Sequence, residues 1–535
     1  MFEFGSYPFP SKRFVKYAIN GMCATSHHLA AQAGVDVMRK GGNAFDAAIA
    51  AATCLTVLEP QSNGIGADAF AIIWHKGKIY GLNSSGYMGK RFTLEAAKAK
   101  GWENKLPVYG FGPVTVPGAP AAWAAVNQRF GRLPLREVMA PAINYAANGQ
   151  ACTQGLHDMM KLFSGRLKDQ LENAPECASW FDCFMPEGRV PEVGEIYRNP
   201  DQAKTLQDIA DTNAESFYRG NLADQIAAYS DKFGGWITKE DLENYQPDWV
   251  DPVSVNYRGY DVWELPPNGQ GIVALMALNI LRNFEPSRGD VASFHREIEA
   301  LKLAFADGQR YIADPRHMEV SVADLLSPAY GLDRSKLIRD HAILPECGKP
   351  KASGTVYMCA ADNEGNMISF IQSNYRGFGS GVVVPGTGIG LQNRGEGFSL
   401  DPNHPNFAAP GKKPYHTIIP GFLTKGNEAV GPFGVMGGFM QPQGHMQVML
   451  DYIDKGMNPQ ACLDAPRWQW TEGMKVSFEP AFPEYMVEAL KARGHNISID
   501  LNPGSFGRGQ IIFNTGKGTL MGATEPRCEG AVQAW

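Results

Sequence analysis

The chain has 535 residues, 44% of them apolar and only 19% charged. That is ample material for a large core and excludes a disordered or rod-like chain. Lysine and arginine number 49 against 55 acidic residues, a net charge of −6 with no basic stripe, which argues against nucleic acid and anionic membrane as partners. Glycine fills 59 positions, above the ~7% usual in soluble proteins, and suggests packed layers joined by special turns. Length alone would allow several domains, but no linker or charge block divides the sequence, so one fused unit is expected. The longest apolar run, Ala47 to Leu58, is too short for a bilayer, and nothing near the start reads as a signal peptide. The nine cysteines show no C-x-x-C spacing and read as reduced thiols in a cytoplasmic protein.

In chain order, Ser26 is expected to cap a helix ending at Gly41-Gly42, and Asn43 to cap the next, which stops before Pro60. Ala69–Trp74 and Lys78–Leu82 predict two strands around a His75-Lys76-Gly77 turn. Residues 120 to 310 read as mostly helical, including Ala292 to Ile312, with a strand pair near Val253–Trp263. The pattern fades towards Leu344–Gly354, a segment whose composition suits exposure and cleavage. Thr355–Ala361 and Met367–Ser373 then flank the turn Asp362-Asn363-Glu364-Gly365-Asn366, the clearest hairpin signal in the chain. If Asp362 opposes Asn366, Thr355 falls opposite Ser373 on the same side of the sheet. A helix is expected from Pro442 to about Lys455. No solenoid repeat is present.

A threonine opening a strand is ordinary on pattern alone, because β-branched residues favour strands. The chemical reading is that the Gly354–Thr355 bond is cut. Thr355 would then supply its hydroxyl as nucleophile and its new α-amine as base. Such an amine titrates near ~7.7–8.0, so part of it is free to accept a proton at neutral pH. Acyl transfer also needs donors for an oxyanion, and Gly437-Gly438 within the 434–441 loop can bring backbone N–H groups close to a substrate. Gly386-Thr387-Gly388-Ile389-Gly390 lacks the spacing of a dinucleotide fingerprint, and His27-His28 is unsuited to sharing a metal. No metal and no cofactor are expected.

These residues carry a resemblance. Ser26-His27-His28-Leu29-Ala30, Gly41-Gly42-Asn43-Ala44-Phe45-Asp46 and Glu59-Pro60-Gln61-Ser62-Asn63-Gly64-Ile65-Gly66 are its first segments. Val116-Pro117-Gly118, Tyr257-Arg258-Gly259-Tyr260, the run from Thr355 to Phe378-Gly379-Ser380-Gly381, Lys413-Pro414 and Gly437-Gly438 complete it. The sequence resembles the γ-glutamyltransferase family of N-terminal-nucleophile hydrolases. That resemblance implies an α+β fold, a four-layer αββα sandwich forming one fused domain. It also implies a proenzyme cut into segments 1–354 and 355–535 that stay together as a heterodimer, alone or as a dimer of heterodimers. Carried over by position, Thr355 is nucleophile and base, Ser373 orients its amine, and Gly437 and Gly438 form the oxyanion hole.

The departures concern substrate recognition. The family arginine for the glutamyl α-carboxylate aligns at Ser85, and the aspartate for its α-amino group at Gly397. A family asparagine becomes Tyr375, and paired serines become His416 and Thr417. Charge-assisted hydrogen bonds contribute about 1.5–3 kcal/mol each, so ordinary glutamyl selection is compromised. Arg376 and Arg394 stand near the old pocket. Either could clamp the carboxylate of a smaller acidic amide, or pair with Glu396 or Asp401. The loop from Leu400 to Gly411 is shorter than the family lid, which favours water as acceptor. Among relatives with an altered pocket, the chain resembles the oxamate amidohydrolase type. The expected function is hydrolysis of a small carboxylate-bearing amide; the rivals are a γ-glutamyl hydrolase or transferase, and an uncleaved pseudoenzyme that binds without turnover.

Overall fold

The computed structural model describes residues 13–345 and 354–535. Two seven-stranded sheets form its centre. In chain order the strands are β1 (Lys16–Ala18), β2 (Gly21–Thr25), β3 (Asp68–His75), β4 (Lys78–Ser84), β5 (Asp248–Val250), β6 (Val253–Tyr257) and β7 (Tyr260–Glu264). They continue as β8 (Gly354–Asp362), β9 (Met367–Tyr375), β10 (Gly421–Lys425), β11 (Glu428–Met436), β12 (Arg508–Asn514), β13 (Leu520–Thr524) and β14 (Ala531–Ala534). One sheet has the order β1-β13-β12-β11-β10-β7-β6, and the other β14-β2-β8-β9-β3-β4-β5.

Side-chain alternation builds the layers. Along β8, Tyr357, Cys359 and Ala361 pack with Phe422, Met436 and Ile512 of the opposite sheet. Val356, Met358 and Ala360 turn the other way, onto helices α1 (His28–Arg39) and α2 (Ala44–Leu58). The first sheet is covered likewise by α3 (Gly271–Leu281), α4 (Val291–Tyr311) and α5 (Met440–Ile453). The result is the four-layer αββα sandwich that the resemblance implied.

Every residue of α2 is buried, so its start must be satisfied internally. Asn43 Oδ1 accepts the N–H groups of Phe45 and Asp46, and Asp46 Oδ2 accepts that of Asn43 at 3.1 Å. Asp362 of the hairpin turn accepts the N–H of Ala44 at 3.0 Å, fastening β8 to α2. The cap of α1 differs from expectation. His27 fills the role, its Nδ1 accepting from Leu29 N at 3.2 Å, because β2 runs to Thr25 and the helix begins at His28. Helix α5 starts two residues ahead of Pro442, which sits in its first turn, where the missing N–H costs nothing.

The hairpin register is the expected one from Val356↔Gln372 to Ala361↔Met367. It shifts at Thr355, where Gly354 pairs with Tyr375, so a bulge sets the threonine off from the ladder. Residues 346–353, most of the segment expected to be exposed, lie outside the described residues. Among the described residues no helix is long and apolar enough to cross a membrane. The eight described cysteines are all unpaired.

Candidate active site

Alternation places Thr355, Ser373 and Asp68 on one face, the face turned towards the opposite sheet. Thr355 shares the parity of Tyr357, Ser373 that of Ile371, and Asp68 that of Phe70, all members of the inter-sheet core. Asp68 is the direct partner of Ser373 in the β3–β9 ladder. All three side chains are buried.

Thr355 Oγ1 lies 3.1 Å from Ser373 Oγ. The same serine oxygen accepts the N–H of Tyr375 at 2.8 Å and Nη2 of Arg394 at 3.3 Å. Tyr375 holds a left-handed backbone, φ +76°, an uncommon state for a bulky residue. It presents its ring to the Arg394 guanidinium at 4.3 Å. Arg394 Nη1 donates to Thr417 Oγ1 at 2.7 Å. Arg394 Nε is buried without an acceptor among the described residues. Burial pushes the guanidinium down to about 10, so its charge is held at some cost.

Arg376 has a different environment. Its Nη2 donates to Glu396 Oε1 at 2.7 Å and its Nε to the other oxygen, a bidentate pair. Of the two arginines, only Arg394 reaches the oxygen that touches Thr355.

His416 Nε2 lies 3.0 Å from Asp68 Oδ2, and its Nδ1 accepts Ile418 N–H at 3.3 Å, which fixes the proton on Nε2. Burial holds His416 well below its ordinary range. Burial also pushes the Asp68 carboxyl up to about 7, against the nearby Arg394 charge. Ser85 sits in a neighbouring amide network: its Oγ donates to Asn83 Oδ1 at 2.7 Å and accepts from Asn268 Nδ2 at 3.2 Å. The backbone carbonyl of Asn268 in turn accepts the backbone N–H of His416 at 2.9 Å.

Gly437 and Gly438 join β11 to α5 with φ values of +137° and +60°, which favour glycine. The Gly437 carbonyl accepts Met440 N–H, and that of Gly438 accepts Gln441 N–H and Gln270 Nε2 at 2.8 Å. Their N–H groups find no acceptor among the described residues. Gln270 Nε2 also donates to the Thr417 carbonyl at 2.8 Å, so the loop is linked through Thr417 and Arg394 to Ser373. A further close approach fixes this arrangement: a Cβ on Gly434 would meet the Tyr357 ring at 2.4 Å.

Asp68, Asn268 and Gln270 were not singled out in the sequence. The available signal was a lone carboxylate inside the apolar stretch from Ile65 to Trp74.

One cluster among the described residues carries metal-type donors: His295, Glu299 and His495. Apart from His495 Nδ1, which has no hydrogen-bond partner among the described residues, their donor atoms are already engaged. His295 Nδ1 meets His495 Nε2 at 2.8 Å, His295 Nε2 meets Arg339 O at 2.7 Å, and Lys302 Nζ donates to Glu299 Oε1 at 2.6 Å. A cation would have to displace the lysine.

The family model described as gamma-glutamyltranspeptidase matches residues 30–535. A Bacillus subtilis protein named glutathione hydrolase-like YwrD proenzyme is 36% identical over 95% of this chain and 97% of its own. An oxamate amidohydrolase proenzyme of Klebsiella pneumoniae is 34% identical over 96% and 98%. Among solved structures, a cephalosporin acylase from Bacillus halodurans superposes with a TM-score of 0.97 at 58% identity, covering 100% of this chain and 99% of that one.

Proposed function

The chain belongs to the gamma-glutamyltranspeptidase family and is a self-processing amidohydrolase of the N-terminal-nucleophile type; from that premise we propose that it hydrolyses a small carboxylate-bearing amide, oxamate-like, through a threonyl acyl-enzyme. Cleavage of the Gly354–Thr355 bond gives segments 1–354 and 355–535, held together as a heterodimer. Thr355 Oγ attacks the amide carbonyl while its α-amine takes the hydroxyl proton and passes it to the departing ammonia. The N–H groups of Gly437 and Gly438 receive the developing oxyanion. Water, activated by the same amine, then releases the acid. The reduced cysteines are in keeping with a cytoplasmic setting.

The observation that carries the substrate class is Arg394. Its buried guanidinium donates to the very serine oxygen that contacts the nucleophile, and it keeps one N–H without an acceptor. A cation one side chain from the nucleophile suits an acid whose carboxylate lies close to the reacting carbonyl. A γ-glutamyl group would need its α-carboxylate and α-amine met at Ser85 and Gly397, which offer no charge. The second reading, favoured by 58% identity to the cephalosporin acylase, is removal of an acyl group from a larger amine, with Arg394 serving a carboxylate on the acyl part.

The test is a panel run on the mature enzyme, whose new amino end is identified by mass spectrometry. Oxamate and succinamate are expected to exceed γ-glutamyl anilides by at least about tenfold in kcat/KM, the worth of one charge-assisted contact. A γ-glutamyl preference overturns the reading. An acyl-cephalosporin preference selects the second one. An uncut, inactive chain would point to a pseudoenzyme.

A further inference from the structure

The Asp68–His416 pair is absorbed by none of the steps above. Asp68 and Arg394 address the same serine: Asp68 is its ladder partner and Arg394 donates to its oxygen. Both side chains are fully buried and, without forming a direct ion pair among the described residues, they lie close enough for each charge to act on the other. An anionic substrate on Arg394 would place two carboxylates against one guanidinium. A buried site with a net negative charge is costly, and the cheapest remedy is a proton.

We propose that Asp68 is a positioning residue that sets, through Arg394, how strongly the site holds an anionic substrate, and that it takes up one proton from solvent when such a substrate binds. This rests on the assignment of Arg394 as the carboxylate contact.

The surrounding groups leave Asp68 as the acceptor. His416 spends Nδ1 on Ile418 N–H and Nε2–H on Asp68, so a second proton would cost it a hydrogen bond. Lys413, on the same segment, pairs with Asp248 at 2.5 Å. Glu396 is engaged by Arg376. Tyr218 and Tyr245, which also face Asp68, are held protonated by burial. Gly86 N–H approaches Asp68 Oδ1 at 3.4 Å, a weak donor for a full negative charge. Burial already lifts the carboxyl to about 7, so it can exchange its proton in the neutral range.

The experiment compares succinamate with uncharged succinamide on the mature enzyme from pH 6 to 9. The readout is the ratio of their KM values, in which ionisation changes common to both ligands cancel. Above about pH 7 the ratio should rise, approaching tenfold per pH unit, as one-proton linkage requires. In Asp68→Asn it should stay flat to within about threefold, on the same linkage. A flat wild-type ratio with succinamate still preferred overturns the proposal and leaves the Arg394 assignment standing. A slope that persists in Asp68→Asn also overturns it, because the Thr355 amine would then carry the proton. No succinamate preference at any pH overturns the Arg394 assignment and this proposal with it. If Asp68→Asn does not fold, His416→Leu replaces it. Loss of the imidazole donor must move the wild-type midpoint to higher pH, and an unmoved midpoint overturns the proposal.

Discussion

Two of the buried charged clusters in this molecule are finished differently. Around α4, Lys302 and Glu299 form an ion pair at 2.6 Å with neither side chain exposed. The second Glu299 oxygen accepts Ile343 N–H at 3.0 Å, and His295 and His495 bond each other. Beside Thr355, Arg394 has two hydroxyls and an aromatic ring, but an Nε without an acceptor. The first cluster pairs its charges within itself and pins residues 339–343 against the outer helices. The second leaves one buried donor without an acceptor among the described residues, on a side chain one hydrogen bond removed from Thr355. Burial of charge is common to both; what separates a brace from a binding site is whether the charge is already answered.

The largest expected effect lies at the open cluster. Thr355→Ala should remain a single uncut chain on a denaturing gel and lose activity by about ten-thousand-fold or more, as loss of a covalent nucleophile does elsewhere. Two fragments with turnover would break the assignment. Next comes the closed cluster. Lys302→Met leaves the Glu299 carboxylate buried and unpaired, and should cost about 3–5 kcal/mol in denaturant unfolding. The kcat/KM should stay close to wild type, and a selective loss of kcat would erase the contrast between brace and site.

The same brace should respond to acid. Burial pushes His495 down to about 3, whereas an unfolded histidine titrates near ~6.5. The stability contributed by keeping it neutral is full above about pH 6.5 and drains as pH falls towards 3. The smaller effects compare the two arginines. Arg394→Gln should raise KM for succinamate by about thirtyfold, or ~2 kcal/mol. Arg376→Gln, which removes a partly exposed pair already satisfied by Glu396, should change it by about threefold or less. Equal losses would mean that the two side chains share the task.

The sequence was legible where the information is local. Alternation and the Asp362–Asn366 turn fix the register of β8 and β9 as far as Val356↔Gln372, which brings Thr355 into the neighbourhood of Ser373. The N-cap of α2 at Asn43 was legible for the same reason, being set by residues three positions apart. The bulge at Thr355 was not legible, because it arises where the ladder meets Tyr375 and not from the strand pattern. Nor was the division of labour between Arg376 and Arg394. In the chain Glu396 stands close to Arg394 and 20 positions from Arg376, yet the folded loop gives it to Arg376. Asp68 was hidden for the opposite reason: its partner His416 lies 348 positions away, beyond any spacing rule.

The strand order has one more consequence. In one sheet β8 and β9, which follow the Gly354–Thr355 bond, lie between β2 and β3, which precede it; in the other, β10 to β13 are flanked by β1 on one side and β7 and β6 on the other. A chain cut there is knitted, not joined, and its halves part only if both sheets are torn. Before the cut, unfolding is a round trip for one molecule. After such a cut two strangers would have to find each other in solution, so maturation at this bond would work as a ratchet and the lifetime of the matured protein would become a matter of how slowly it opens.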